Sequence, residues 1–397
     1  MEVQPVILNI DKMEAYNFNT METMDWKNLP FGYQKTDYNV RCYWRDGNWG
    51  RLEICSSEFI HMHMAATCLH YGQEAFEGLK AYRGADNQIR LFRLEENAKR
   101  MAETAEYILM QKVPVELFRD AVIKAVQLNE RFVPPYGTGA TLYVRPLLIG
   151  TGAEVGVKPA KEYLFLVFVT PVGAYFKEGF KPTDMVICRE YDRAAPLGTG
   201  HVKVGGNYAA SLLSLKKAHD EGYSSAIYLD AREKKYIDES GPANFFGIKD
   251  NKYITPRSRS ILPSITNNSL MVLAKDMGME VEQRQIEISE LSTFEEAGAC
   301  GTAAVISPIR SITDPQMEKV YVFSKDGKAG PVCQKLYSRL TAIQFGDEPD
   351  KFGWITIVEP TETNTISKYK MELKEIMHSV AANVKNYANK RAKNKTK

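Results

Sequence analysis

The chain is poor in histidine, with six in 397 residues, and its six cysteines, Cys42, Cys55, Cys68, Cys188, Cys300 and Cys333, show no paired spacing. Such scattered cysteines argue against a disulfide framework and are read as reduced thiols of the cytosol. No apolar run is long enough to span a bilayer and no secretory leader pattern is recognisable, so a soluble cytoplasmic protein without a membrane partner is expected. Net charge is scarce too: 51 Lys and Arg stand against 49 Asp and Glu. So weak a field gives no reason to expect a nucleic-acid partner. His61-Met62-His63 hints at a metal, but no Asp, Glu or Cys lies at ligand spacing. The string is read instead as a strand with both rings on one face, and no metal is expected. What is plentiful is apolar sequence, 44% of a chain long enough to bury a large core in roughly two domains.

The most informative segment is His201-Val202-Lys203-Val204-Gly205-Gly206-Asn207-Tyr208. Two glycines let backbone pass close to a flat ligand, and Tyr208 is expected to open the following helix, which puts Lys203 at a strand-to-helix turn. Partial burial there lowers a lysine pKa, as reaction with a carbonyl cofactor requires. A surface lysine beside a glycine hinge fits the same window.

Three downstream segments favour the reactive lysine. The stretch 236–246 places Glu239 and Asn244 in an apolar, strand-like run, where a carboxylate is rarely buried without a partner. Residues 260–270 form a proline-containing turn leading into a helical pattern with Leu270, Leu273 and Met277 on one face, and the N–H groups at such a start suit a phosphate. Gly298-Ala299-Cys300-Gly301-Thr302-Ala303-Ala304-Val305 is small and apolar with one hydroxyl, fit for close approach to an anion.

Together these strings resemble the fold-type IV pyridoxal-phosphate enzymes, and among them the branched-chain amino acid aminotransferases. The resemblance runs from about Phe31 to Val358 and includes 75–84 (AFEGLKAYRG), 142–146 (LYVRP) and 170–176 (TPVGAYF). It implies an α+β, two-domain protein: an α/β sandwich-like domain over 31–171, an interdomain loop at 172–182 that also covers the site, and a β-barrel-like domain with surrounding helices over 183–358. The cofactor, pyridoxal 5'-phosphate, lies between them.

By the same resemblance, Lys203 is the Schiff-base lysine that also moves the substrate proton. Glu239 keeps the cofactor's ring nitrogen protonated, and Tyr208 bonds its 3′ oxygen. Arg100, on an N-capped helix, takes the phosphate with the Ile265-Thr266 backbone and the Thr302 hydroxyl; an ordinary solvated helix position is the alternative for Arg100. Strand alternation puts Tyr143 and Arg145 on one face, where they can serve an apolar side chain and a glutamate γ-carboxylate in turn. The resemblance adds Phe31, Tyr71, Phe76 and Tyr175 as aromatic walls, Ala303 as a backbone donor to the α-carboxylate, and Val155 from a neighbouring subunit. The activity implied is ping-pong transamination from L-leucine, L-isoleucine or L-valine to 2-oxoglutarate by a homodimer or a multiple of one.

Three positions depart from the pattern. Pro242 lacks a backbone N–H near the substrate carboxylate, Asn267 stands where Arg is common, and Ala304 and Ser307 replace a Cys-x-x-Cys pair, so no thiol switch is expected there. The rival activities on this fold are D-amino acid transamination and aminodeoxychorismate lysis. A different class would be a binding protein that uses its basic tail to recruit nucleic acid.

Helical patterns are expected at Asn97 to Met110, Glu116 to Phe132, and after Asn207 and Thr266, with a hairpin joining Ser225–Leu229 to Tyr236-Ile237. Residues 1–30 have no clear pattern and are read as an arm. From 359 to 397, apolar residues at helical spacing end in a basic run. That extension is read as a helix packed on its own subunit with a solvated end; docking on a partner is the alternative.

Overall fold

The computed structural model describes residues 24–173 and 180–360. Most of the expected arm, Tyr175, and the extension beyond 360 lie outside the described residues.

The first sheet is built from β1 (Asn39–Arg45), β2 (Asn48–Trp49), β3 (Glu53–Cys55), β4 (Glu74–Phe76), β5 (Leu79–Arg83), β6 (Ile89–Phe92), β7 (Thr141–Gly150) and β8 (Tyr163–Val172). Its spine runs β6-β5-β7-β8-β1-β2, and each of these neighbouring pairs is antiparallel. Strand β8 reads as a nearly continuous apolar run because nine of its ten residues are buried, with structure packed on both faces. Helix α1 (Thr67–Tyr71) is short; α2 (Leu94–Tyr107) and α3 (Val115–Leu128) cover one face. Leu94, Ala98, Met101 and Ala105 of α2 repeat at helical spacing and join Phe118, Val122 and Val126 of α3 in the core. Helix α2 starts three residues before the expected Asn97. Its N-cap position, Arg93, has φ 51° and makes no side-chain cap bond, so the N-capped helix inferred around Arg100 is not what forms.

The second sheet contains β9 (Thr183–Cys188), β10 (Ser225–Leu229), β11 (Ile237–Ser240), β12 (Ala243–Lys249), β13 (Lys252–Pro256), β14 (Glu280–Arg284), β15 (Glu296–Gly301), β16 (Val305–Asp314) and β17 (Lys319–Val322). Strands β11-β10-β9-β16-β15-β12 pair in that order, and β12 pairs again with β11, which closes a six-stranded ring. Closure leaves none of these six as a free edge on both sides. The expected hairpin is the β10–β11 pair, with Leu229 opposite Ile237. Helices α4 (Gly205–Ala210), α5 (Leu212–Asp220), α6 (Ile265–Asp276) and α7 (Pro331–Phe345) surround the barrel, in keeping with the α+β, barrel-containing class implied by the resemblance.

One strand crosses back. β18 (Ile355–Val358), which the sequence reading put with the second domain, pairs antiparallel with β6 of the first sheet. It covers hydrogen-bonding groups that β6 would otherwise leave as an open edge. His61-Met62-His63 is a loop, not a strand, and the His63 ring accepts a bond from the Ala65 N–H.

Candidate active site

Lys203 stands on an irregular link between turns at 196–202 and helix α4, not after a strand as expected. Helix α4 begins at Gly205, so Tyr208 is its fourth residue rather than its first. That turn of helix folds Tyr208 back over the lysine, and Nζ donates to the Tyr208 hydroxyl at 2.8 Å. Glycine at 205 is a packing requirement: its N–H donates to a Glu74 carboxylate oxygen, and a Cβ would run into that carboxylate. The Phe76 ring lies beneath, 4.7 Å from Nζ. Burial pushes the Lys203 pKa down to about 8, and the Arg100 charge acts in the same direction. Burial likewise pushes Tyr208 up to about 12, with Glu239 adding to the rise.

These groups open on a cavity of about 760 Å³ between the first sheet and the barrel. Phe31, Phe76, Arg100, Tyr143, Arg145, Ile265, Thr302 and Ala303 all line it with Lys203 and Tyr208. Tyr143 and Arg145 do share a face of β7, and an Arg145 Nη donates to the Tyr143 hydroxyl at 3.1 Å. Gly78 opposite must be bare, because a Cβ there would collide with that same hydroxyl.

Glu239 sits behind Tyr208, in a small adjoining cavity with Asn207, Asn244 and Arg193. It is 4% exposed and forms an ion pair with Arg193 at 2.8 Å while accepting from the Leu262 N–H at 2.6 Å. Burial pushes its carboxyl up to about 7, against the opposing charge of Arg193. Arg193 had no signal in the sequence, because its partner is far along the chain and on another element.

Arg100 is buried, not solvated. Both oxygens of the fully buried Glu77 accept from it, at 2.7 and 2.8 Å, and a third bond reaches the Pro263 carbonyl at 2.9 Å. Asn97 also donates to Glu77 at 2.8 Å. This pair ties α2 to the turn before α6. Ser264 caps α6 by accepting from the Asn267 N–H at 3.1 Å, whereas the Ile265 and Thr266 N–H groups find no acceptor among the described residues. The N–H groups of Thr302, Ala303 and Ala304 are equally unpaired there. Arg100, Ile265, Thr302, Ala303 and Ala304 line the active cavity and Thr266 a small one, and two sets of unpaired donors with a guanidinium fit an anionic ester. Asn267, the departure from Arg, points elsewhere: its side chain accepts from Tyr253 and donates to Thr255.

Tyr71 and Val155 do not line this cavity. The Tyr71 hydroxyl bonds to the Val155 carbonyl, and both side chains are exposed. Pro242 is on the cavity wall and offers no donor. Among the described residues no cluster of metal-ligating side chains is found, and no helix is long and apolar enough to cross a membrane.

A lysine amine, a buried carboxylate and a paired anion cradle in this arrangement define a site for aldehyde-cofactor chemistry on an amine. The chain belongs to the class IV amino-transferase family, whose model matches residues 74–312. Within that class it is similar to branched-chain-amino-acid aminotransferases: the Haemophilus influenzae protein is 52% identical over 346 residues, covering 85% of this chain and 100% of that one. The Helicobacter pylori protein of the same name is 49% identical over 338 residues, covering 84% of this chain and 98% of that one. The solved Escherichia coli branched-chain amino acid aminotransferase aligns at TM-score 0.68 with 28% identity, over 82% of this chain and 100% of that one. Class IV aminotransferases use pyridoxal phosphate, one solved branched-chain amino acid aminotransferase (27% identical, TM-score 0.66) carries pyridoxamine 5'-phosphate, and the donors described above fit such a group.

Proposed function

We propose that this chain transfers the amino group of L-leucine, L-isoleucine or L-valine to 2-oxoglutarate, yielding branched 2-oxo acids and L-glutamate reversibly. The observation that carries this reading is the buried Lys203 amine, 2.8 Å from the Tyr208 hydroxyl, in a cavity walled by Phe31, Phe76, Tyr143 and Arg145. The similarity to branched-chain enzymes supports the choice over the D-amino acid and lyase alternatives.

When bound, pyridoxal phosphate supplies an aldehyde that takes up the amino group and a ring that accepts the electron pair freed at the substrate Cα. Lys203 would hold the cofactor between turnovers, and its Nζ would serve as the base that takes up and returns the substrate Cα proton. Tyr208 steers that amine. Glu239 would hold the proton on the ring nitrogen, with Arg193 keeping the carboxylate anionic despite burial. Arg100, the Ile265 and Thr266 N–H groups and Thr302 would take the phosphate.

Ala303 serves the α-carboxylate. Arg145 beside Tyr143 receives the γ-carboxylate in the half-reaction with glutamate, while the rings of Phe31, Phe76 and Tyr143 exclude water from an aliphatic side chain in the other. One methylene changes transition-state binding by only ~1–3 kcal/mol, so all three aliphatic substrates react. The order is ping-pong because the amino group must leave the first substrate before the second can receive it in the same cavity. In this reading residues 31–171 and 183–358 act as small and large domains joined through 172–182, with β18 tied back to the small one. The exposed Tyr71–Val155 patch completes the site of a second copy, which makes the working form a cytoplasmic homodimer or a multiple of it.

Borohydride reduction of the cofactor-loaded protein, followed by peptide mapping, tests the assignment of the amine. The label is expected on Lys203, with the visible absorbance absent in Lys203→Ala; a label on another lysine overturns it.

A further inference from the structure

Lys80, on β5, is a buried cation that meets no anion among the described residues. It is 7% exposed, and among the described residues its Nζ donates one hydrogen bond, to the Ala303 carbonyl at 2.7 Å. No carboxylate among the described residues pairs with it. The small cavities on that side of the turn are lined by Lys80 and Gln344, whose buried Oε1 has no partner either. Burial pushes the Lys80 pKa down to about 8, with no nearby charge to offset it. An isolated buried ammonium is costly, so its retention calls for a function or a compensating ligand.

The bonded carbonyl supplies one. In a trans peptide the C=O and the following N–H point to opposite sides. Drawing the Ala303 carbonyl towards Lys80, away from the active cavity, turns the Ala304 N–H towards that cavity, which Ala303 and Ala304 both line. The N–H groups of 302–304 have no acceptor among the described residues, and the ammonium behind them adds positive potential. Pro242, which lines the same cavity beside this turn, adds no donor, so a carboxylate bound here relies on the N–H groups of the turn.

We propose that Lys80 is a positioning residue for substrate carboxylates, acting through the Ala303–Ala304 peptide, which it holds with its N–H aimed at the bound anion. This rests on the transaminase reading above and deepens it by assigning the α-carboxylate a second donor, Ala304, and a remote charge.

The test compares the cofactor-loaded wild type with Lys80→Met and Lys80→Arg, using 4-methylvaleric acid as an unreactive carboxylate and its primary amide as a neutral control. Binding is read from the cofactor's visible spectrum. In Lys80→Met the Kd for the acid and the KM values of both substrates are expected to rise about tenfold, the loss of one charge-assisted contact. The amide Kd, kcat and the cofactor spectrum stay near wild type, and Lys80→Arg regains most of the acid affinity. Should Lys80→Met not fold, the same acid-against-amide contrast is read in Lys80→Gln. Equal weakening of acid and amide, or none, overturns the inference. Failure of the wild type to bind the acid at all strikes instead at the transaminase reading.

Discussion

The Arg193 guanidinium and the Glu239 carboxylate form an ion pair at 2.8 Å behind the Tyr208 ring, each about nine-tenths buried or more at the side chain. Removing one partner of such a pair strands the other charge, which costs about 3–5 kcal/mol. Arg193→Met is therefore expected to lower the melting temperature and also to raise the Glu239 pKa further. The acid limb of the kcat profile then moves to higher pH. An unchanged acid limb in a folded variant would contradict the link between the pair and catalysis.

The sign of that limb follows from burial. Glu239 is pushed up to about 7, so it becomes neutral as pH falls through that value and can no longer hold a proton on a facing ring nitrogen. Wild-type kcat should fall on going below pH 7, and Glu239→Gln should lose at least about a hundredfold at every pH. A Glu239→Gln enzyme with near-normal kcat would remove the residue from the mechanism.

Lys203 titrates in the opposite sense. With its pKa pushed down to about 8 by burial and Arg100, its neutral fraction grows as pH rises through that value. The rate of cofactor uptake by apoprotein, followed by visible absorbance, should climb through this window and level off above it. A rate still climbing at pH ~10, the ordinary lysine range, would contradict it.

Much of this was legible beforehand, and the limits are physical. Lys203, Tyr208 and the Gly-Gly step lie within a few residues of each other, and the Tyr143/Arg145 face follows from strand alternation, so local pattern carries them. Glu77 with Arg100 and Lys80 with Ala303 are separated by 23 and 223 residues, and only the packing of α2 and the barrel against the first sheet joins them. The return of β18 to β6 is likewise invisible, since an apolar strand does not state which edge it will cover.

Glu77→Ala tests the structural side of the cradle. It leaves Arg100 buried without its carboxylate, so the apoprotein should lose about 3–5 kcal/mol in denaturant unfolding. Cofactor should restore part of this, since an anion again faces the guanidinium. Equal destabilisation of the apo and loaded forms would mean that Arg100 does not meet the phosphate.

Ser264→Ala removes the side-chain acceptor that caps α6, a change worth about 1 kcal/mol. Because the free Ile265 and Thr266 N–H groups stand on the same turn, the loss should appear in cofactor affinity as well as in melting temperature. Titration of apoprotein with pyridoxal phosphate checks this, and an unaltered Kd in a destabilised variant would separate the cap from the cradle.

The most direct measurement is amine transfer to 2-oxoglutarate by the purified loaded protein from L-leucine, L-isoleucine, L-valine, D-alanine and the aromatic L-amino acids. The three aliphatic L-substrates are expected to give glutamate at comparable kcat/KM, well above D-alanine, with Lys203→Ala inactive throughout. Inactivity on all three, or a preference for D-alanine, would contradict the account.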